Sequence, residues 1–146
     1  MFVHTELPYL QIQLLTRTSM KILHIEDNES ISEPMGVFLK HHGFEYESSI
    51  DGRKGLELIR KNHYDAILLD LSMPEFDGYD IINALVSDGL IHSQKIIIFT
   101  ACTLTPNEVK RLIDLGVYSI HGKPLVGKRI LEKFKLIEAD CTALTN

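Results

Sequence analysis

The sequence has few cysteines, no long apolar run and no cluster of basic residues. Its two cysteines, Cys102 and Cys141, form neither a C-x-x-C pair nor a disulfide framework, which favours a reduced, cytoplasmic setting. No apolar run approaches the roughly 20 residues that a helix needs to cross a bilayer, so no membrane segment is predicted. The net charge of −5 argues against nucleic acid as the main partner.

The composition is that of a globular protein. Hydrophobic residues make up 45% of the 146 residues and charged residues 24%, which is close to the average for soluble domains and excludes general disorder. This length suits one domain with a core large enough to fold unaided. We expect a monomer or a weak dimer.

The chain divides into an N-terminal extension, one domain and a polar tail. Residues 1–19 mix apolar residues with Pro8, and Arg17 follows the apolar part instead of preceding it as in a signal peptide. This extension has no assigned function: it is either a vector-derived or mis-called leader, or an extra strand or arm that packs on a partner. Residues 20–138 are assigned to the domain and 139–146 to the tail.

Strands alternate with helices five times along the domain. Pro34 fits only in the first turn of a helix, so the first helix should begin near Ser32 or be distorted at its start. This alternation predicts an α/β fold, a doubly wound five-stranded parallel sheet with right-handed crossovers. The strands are predicted at 21–25, 44–48, 66–69, 95–99 and 117–121, and the helices at 30–42, 55–61, 79–90, 105–116 and 126–138.

The stretch 64–78 organises the rest of the chain. Its apolar run 66–69 is typical of a strand that is covered on both faces. The run ends on Asp70, and Pro74 prevents further sheet pairing four residues later. Because open α/β sheets bind their ligands at the carboxyl ends of strands, Asp70 is the predicted reactive group.

Polar residues also follow the other apolar strands. Glu26 and Asp27 follow the first strand, Thr100 ends the fourth, and Lys123 follows the fifth. The carboxyl ends of parallel strands meet at the same edge of a sheet. We therefore expect these four residues to line one cleft with Asp70.

Three carboxylates in one cleft repel one another, so one of them holds a proton or a cation lies among them. Oxygen ligands without paired histidine or cysteine favour a hard divalent cation such as Mg²⁺. The charges of Glu26, Asp27 and Asp70 would be balanced by Mg²⁺ and Lys123, and the neutral site could accept a phosphoryl group. Asp70 would be the in-line nucleophile, and the Thr100 hydroxyl and the backbone N–H after it could donate to a phosphoryl oxygen.

The set of motifs resembles the receiver domain of two-component response regulators, which has a CheY-like, flavodoxin-like (βα)5 fold. The resemblance covers about residues 21–136, and each motif lies at the expected strand end. The motifs are Glu26-Asp27, the block 70–78, Thr100-Ala101 and Lys123-Pro124.

That resemblance implies roles for the acidic residues. Asp70 would be the phosphoacceptor. Asp27 and Asp70 would bind Mg²⁺ together with the backbone carbonyl of Ser72, and Glu26 would hold the metal through water.

The resemblance also implies partners. A sensor histidine kinase or a histidine phosphotransfer protein would phosphorylate the domain, and Thr100 and Lys123 would then engage the phosphoryl group. A downstream protein would contact residues 106–138. Because only a short tail follows, we expect a stand-alone receiver that acts by protein–protein contact or as a phosphate relay.

Two departures from the family pattern concern the metal site and the switch. Glu26 stands where aspartate is commonest, which is a tolerated variant. The usual aromatic switch three residues before Lys123 is replaced by Ile120, and Tyr118 is not assigned that role. Movement of Thr100 would have to be transmitted by aliphatic repacking.

Ser72 and Cys102 resemble the positions at which the family tunes the lifetime of its acyl phosphate. Neither is an acid or an amide, so neither has a side chain of the kind that steers the attacking water. Slow to moderate self-dephosphorylation is expected, and turnover within seconds would contradict this.

Each candidate residue also has a purely structural explanation. Asp70 could be a turn or capping acid, Glu26 and Asp27 could cap the first helix, and Lys123 could be a solvated surface lysine. Cys102 is interpreted as a small apolar filler in preference to a redox sensor. The histidines lack metal-ligand spacing and are interpreted as core or surface residues.

Two other functions compete with a signalling module. A phosphatase or phosphotransferase that forms an aspartyl phosphate would want a second acid two residues after the nucleophile, where Ser72 stands. A flavodoxin-like ligand binder would need a phosphate-cradling loop, but residues 26–29 are acidic. The signalling module is preferred, with no enzymatic activity beyond self-phosphorylation and self-dephosphorylation.

Overall fold

The computed structural model describes residues 19–124 and 126–143. The predicted extension, apart from Ser19, and the last three residues of the tail lie outside this range. Five strands and five helices alternate along the described chain. They are β1 Lys21–Ile25, α1 Glu29–His41, β2 Glu45–Ser49, α2 Gly52–Lys61, β3 Ala66–Asp70, α3 Gly78–Ser87, β4 Lys95–Thr100, α4 Pro106–Leu115, β5 Ser119–Gly122 and α5 Gly127–Ala143.

All five strands form one parallel sheet in the order β2-β1-β3-β4-β5. The chain therefore winds first towards one edge of the sheet and then towards the other, which confirms the predicted doubly wound fold. The reversal lies between β1 and β3, whose register pairs Ile25 with Leu69. Glu26 and Asp70, one residue further along each strand, are consequently neighbours.

The two faces of the sheet carry separate cores. Alternating residues of β1, β3 and β4 point to opposite faces of the sheet. Burying each of these Ile or Leu side chains contributes roughly 1.5–3 kcal/mol to the free energy of folding. The α2–α4 core contains Leu23, Ile25, Leu56, Ile59, Ile67, Leu69, Ile81, Leu85, Ile98 and Leu112. The α1–α5 core contains Ile22, Met35, Leu39, Leu68, Ile97, Phe99, Ile130, Phe134 and Ile137.

The start of α1 differs from the prediction. The helix begins at Glu29, and the expected start near Ser32 is wrong. The Asn28 side chain caps the helix by accepting a hydrogen bond from the Ser30 N–H at 3.0 Å. Pro34 therefore lies inside the helix, where its missing N–H leaves the Ser30 carbonyl without its usual helical donor.

Other element boundaries shifted where capping residues outweighed periodicity. α2 begins at Gly52, three residues earlier than predicted, because the Asp51 side chain accepts a hydrogen bond from the Lys54 N–H at 2.9 Å. α3 ends at Ser87, three residues earlier than predicted. α5 continues to Ala143, so residues 139–143 are helical instead of forming a tail.

The remaining shifts are small. β2 and β5 begin one and two residues later than predicted. Within residues 19–124 and 126–143, no helix has the length and apolar character that crossing a bilayer requires.

Candidate functional site

The candidate site lies at the carboxyl edge of the sheet. The register pairs Asp70 with Phe99 and Thr100 with Gly122, which brings the ends of β3, β4 and β5 side by side. The Lys123 backbone N–H donates to the Thr100 carbonyl at 2.9 Å and fixes the residue that follows β5. The predicted convergence of strand ends is thus present.

Lys123 is the cation at the centre of the site. Its Nζ donates to the Glu26 carboxylate at 2.7 Å and to the Asp70 carboxylate at 3.2 Å. The three side chains are 17%, 2% and 5% exposed, respectively. Lys123 is therefore not a solvated surface lysine, and the ion pairs join residues 97 and 53 positions apart in the chain.

The electrostatics of this cluster shift two pKa values. Burial raises the pKa of Glu26, with a further contribution from the negative charge of Asp70, despite hydrogen bonds from Lys123 and the Asn28 N–H. Burial alone would lower the pKa of Lys123, but hydrogen bonds and attraction to Glu26 and Asp70 outweigh it and raise the value. The lysine is thus held in its charged form between two acids.

Asp27 completes an acidic cluster with Glu26 and Asp70. Each of the three offers a carboxylate oxygen, and these oxygens lie within 4.8 Å of one another. Asp27 is exposed, whereas the other two are buried. One lysine against three carboxylates leaves excess negative charge, and this all-oxygen donor set fits a hard divalent cation such as Mg²⁺.

Local hydrogen bonds orient the acids. The Asp70 Oδ1 accepts from the Ser72 N–H at 3.1 Å, so the Asp70 side chain also stabilises the turn that follows β3. The Glu26 carboxylate accepts from the Asn28 N–H at 3.2 Å. Because Asn28 caps α1, the alternative in which Glu26 and Asp27 cap that helix is wrong.

Thr100 and Cys102 form a turn beside the acceptor. Thr100 is 3% exposed, and its Oγ1 accepts from the Cys102 N–H at 3.1 Å, which leaves its own hydroxyl proton available as a donor. Cys102 itself is exposed, so the expected apolar filler is wrong. Ser72, two residues after the acceptor, is also exposed.

Ile120 and Tyr118 lie on opposite faces of the sheet. Ile120 pairs with Ile98 and packs against the α2–α4 core, on the same face as Thr100. Tyr118 packs against the α1–α5 core, where the Lys95 ammonium lies 5.2 Å from its ring centroid. An aliphatic side chain therefore occupies the place next to Thr100.

A series of buried, hydrogen-bonded polar groups lies behind the site, and it was not predicted from the sequence. His24 is 2% exposed, and its Nδ1 lies 2.8 Å from the Tyr46 hydroxyl, which donates to the Ser32 carbonyl at 2.8 Å. Burial, aided by the positive charge of Lys123, lowers the pKa of His24 to about 4. The alternation of side chains along β1 is enough to place His24 on a covered face of the sheet, but nothing in the sequence identifies Tyr46 as its partner.

The loop after the acceptor packs closely against its neighbours. A Cβ at Gly78 would lie 2.4 Å from the Asp70 carbonyl oxygen, so no other residue fits without moving the backbone. The Asp77 side chain caps α3, and Asp80 reciprocates by accepting from the Asp77 N–H. This packing fixes the segment between Asp70 and α3.

Comparison with known proteins places these features in a family. The family model for the response regulator receiver domain matches residues 22–135. The transcriptional regulatory protein DltR of Streptococcus agalactiae is 32% identical over 117 residues, covering 80% of this chain and 51% of that protein. The response regulator ArlR of Staphylococcus saprophyticus is 31% identical over 115 residues, covering 79% and 50%.

Solved structures agree on the fold. The receiver domain of the Francisella response regulator 1452 matches with a TM-score of 0.75 and 23% identity, covering 84% of this chain and 98% of that one. The chemotaxis response regulator CheY4 of Vibrio cholerae matches with a TM-score of 0.72 and 25% identity, covering 82% and 99%. The chain spans about half the length of the curated relatives it matches. It belongs to the response regulator receiver domain family, which serves two-component phosphorelay signalling.

Proposed function

We propose that this chain accepts a phosphoryl group on Asp70 from a sensor histidine kinase or a histidine phosphotransfer protein. The observation that carries this proposal is the buried bridge from Lys123 to Glu26 and Asp70, which brings charged residues from three strand ends together in spite of the cost of removing them from water. The proposed setting is the cytoplasm, where kinases obtain ATP. The phosphorylated domain would signal by protein–protein contact.

The reaction is a transfer between two side chains. An Asp70 carboxylate oxygen attacks the phosphorus of a phosphohistidine, an O–P bond forms and the N–P bond breaks. The electron pair returns to the imidazole nitrogen of the donor, and Asp70 becomes an acyl phosphate. The Ser72 N–H and the Lys123 ammonium hold the two oxygens of the Asp70 carboxylate, which orients it before the transfer.

The acidic cluster is the proposed metal site. Asp27 and Asp70 would hold Mg²⁺ with the backbone carbonyl of Ser72, and Glu26 would act through water. The bound metal would neutralise charge on the transferring phosphoryl group. Without it, the site keeps three carboxylates against one ammonium and repels an incoming phosphoryl dianion.

Thr100 and Lys123 are the proposed contacts of the phosphoryl group once it is attached. The Thr100 hydroxyl proton is not used in the Thr100–Cys102 turn, and Lys123 already lies beside Asp70. A shift of Thr100 would be felt by Ile120 on the same face of the sheet. The proposed downstream face is formed by residues 106–138.

Self-dephosphorylation of the acyl phosphate is proposed to be slow to moderate. Ser72 and Cys102 are both exposed, and neither carries an acid or an amide to orient water. For the same reason the chain is proposed to be a phosphoacceptor and not a phosphatase, since Ser72 stands where a general acid would be needed.

Acetyl phosphate with Mg²⁺ tests the proposed function directly. Intact-protein mass spectrometry should show the gain of one phosphoryl group in the parent protein, and no gain in Asp70→Asn. Asp114→Asn is the matched control, because Asp114 is an exposed acid that pairs with Lys110 on α4. The proposal fails if the parent gains no mass, or if Asp70→Asn gains it as well.

Added Mg²⁺ should stabilise the unphosphorylated protein. A ligand at ten times its dissociation constant raises the free energy of unfolding by about 1.4 kcal/mol. Urea unfolding with and without MgCl₂, at ionic strength matched with KCl, measures this. Asp27→Asn should lose most of the gain, and an equal gain in that variant would place the metal elsewhere.

A further inference from the structure

The loop between β3 and α3 is held from outside the site by the start of α2. The Arg53 guanidinium carbon lies 4.7 Å from the centroid of the Phe76 ring. Arg53 is exposed, and Phe76 is half-buried against the α2–α4 core. This distance is within the range of a cation–π interaction, so an exposed cation covers an aromatic side chain of the acceptor loop.

The backbones of the same two segments are in contact. A Cβ at Gly52 would lie 2.1 Å from the Phe76 carbonyl oxygen, so only glycine permits this approach. The ring and the carbonyl of Phe76 are thus both placed by the first turn of α2. Neither contact involves the acidic cluster or Lys123.

The loop conformation explains why such an outside contact matters. Glu75 has a φ of +64°, in the left-handed region that non-glycine residues rarely adopt. The Phe76 N–H donates to the Pro74 carbonyl at 2.7 Å across Glu75, which makes a tight three-residue turn. Strained turns of this kind persist only where their surroundings hold them in place.

The turn is connected to the acceptor by a short, rigid path. The Gly78 N–H donates to the Leu71 carbonyl at 3.1 Å, and Gly78 packs on the Asp70 carbonyl. Ser72, whose carbonyl is a proposed metal ligand, lies between these points and is itself exposed. A displaced Phe76 would therefore change where the Ser72 carbonyl points.

We propose that Arg53 and Phe76 are positioning residues that hold the acceptor loop in its metal-binding conformation. This inference rests on the proposed function, because it concerns how the phosphoryl site is assembled. When the competent conformation is only partly populated, the apparent dissociation constant rises by the inverse of that fraction. Loss of an exposed cation–π contact should weaken Mg²⁺ binding roughly threefold.

Calorimetric titration of the unphosphorylated protein with Mg²⁺ tests this. Arg53→Met keeps the aliphatic part of the side chain and should raise the dissociation constant for Mg²⁺ roughly threefold, whereas Phe76→Tyr keeps the ring face and should match the parent. Phe76→Leu should behave like Arg53→Met, and the double variant like either single one. Lys54→Met is the matched control, since it removes an exposed cation from the same turn of α2.

Each outcome decides the inference. It is overturned if Arg53→Met binds Mg²⁺ as the parent does, including the case in which only its thermal stability falls. An equal loss in Lys54→Met would show a general charge effect and also overturn it. A parent that binds no Mg²⁺ and takes up no phosphoryl group refutes the proposed function, whereas an active parent with an unaltered Arg53→Met refutes only the positioning role.

Discussion

Replacing Lys123 by methionine is expected to lower the free energy of unfolding by about 3 kcal/mol in metal-free buffer. Removing one partner of a buried ion pair costs roughly 3–5 kcal/mol, and the partial exposure of Lys123 favours the lower end. Methionine keeps the apolar part of the side chain. The loss of stability therefore measures the cost of leaving the buried charges of Glu26 and Asp70 without Lys123. Urea denaturation at neutral pH measures it.

A matched exposed pair provides the control. Lys110→Met breaks the ion pair between Lys110 and Asp114, whose side chains are 75% and 62% exposed, and should leave the free energy of unfolding almost unchanged. Mg²⁺ should restore part of the stability of Lys123→Met, because a divalent cation replaces the missing positive charge. If Lys123→Met were as stable as the control variant, the bridge would not compensate the buried acids.

The second large effect concerns pH. The pKa of His24 falls from 6.5 to about 4 on folding, so the unfolded chain binds a proton at His24 that the folded protein rejects. Stability is therefore fully present above pH 6.5 and falls as the pH drops towards 4, by about 3 kcal/mol in total from this group. The measurement is urea denaturation in metal-free buffer at intervals across that range.

The contribution of His24 is isolated by comparing variants. His24→Phe removes the titrating ring at similar volume, and its stability should fall less on acidification than that of the parent by about 3 kcal/mol. His63→Gln removes an exposed imidazole outside this contact and is the matched control variant. Parallel curves for the parent and His24→Phe would contradict the buried, neutral His24.

The part of the structure that could be predicted follows from local apolar runs, because these runs identify the strands and the strands determine the topology of the sheet. The buried run before Asp70 and the apolar runs around Leu23 and Ile97 identified three adjacent strands, and parallel topology then brought their ends together. The convergence of Lys123 on Glu26 and Asp70 followed from topology alone, without any prediction of side-chain geometry.

The errors arose where one side chain decided between alternatives. Asn28 and Asp51 supply hydrogen bonds that start α1 and α2 earlier than apolar periodicity indicates. Cys102 is exposed in a turn where its N–H donates to the Thr100 Oγ1, and composition cannot reveal this. Capping and turn hydrogen bonds are short-range effects that many sequences satisfy equally well.

Contacts between segments far apart in the chain could not be predicted from the sequence. The Arg53–Phe76 and His24–Tyr46 pairs each join residues more than twenty positions apart, and no spacing rule links them. Ile120 differs, since its position was identified as unusual from the motif, and the structure adds that it faces the same core as Thr100.

The central claim, that Asp70 is the phosphoacceptor, is tested most directly by trapping the acyl phosphate. Borohydride reduces an aspartyl phosphate to homoserine, and peptide mass spectrometry then locates the converted residue. After incubation with acetyl phosphate and Mg²⁺, conversion should occur at Asp70 and depend on both reagents. Conversion at another acid, such as Asp27, or none at all in the phosphorylated protein, would contradict the account.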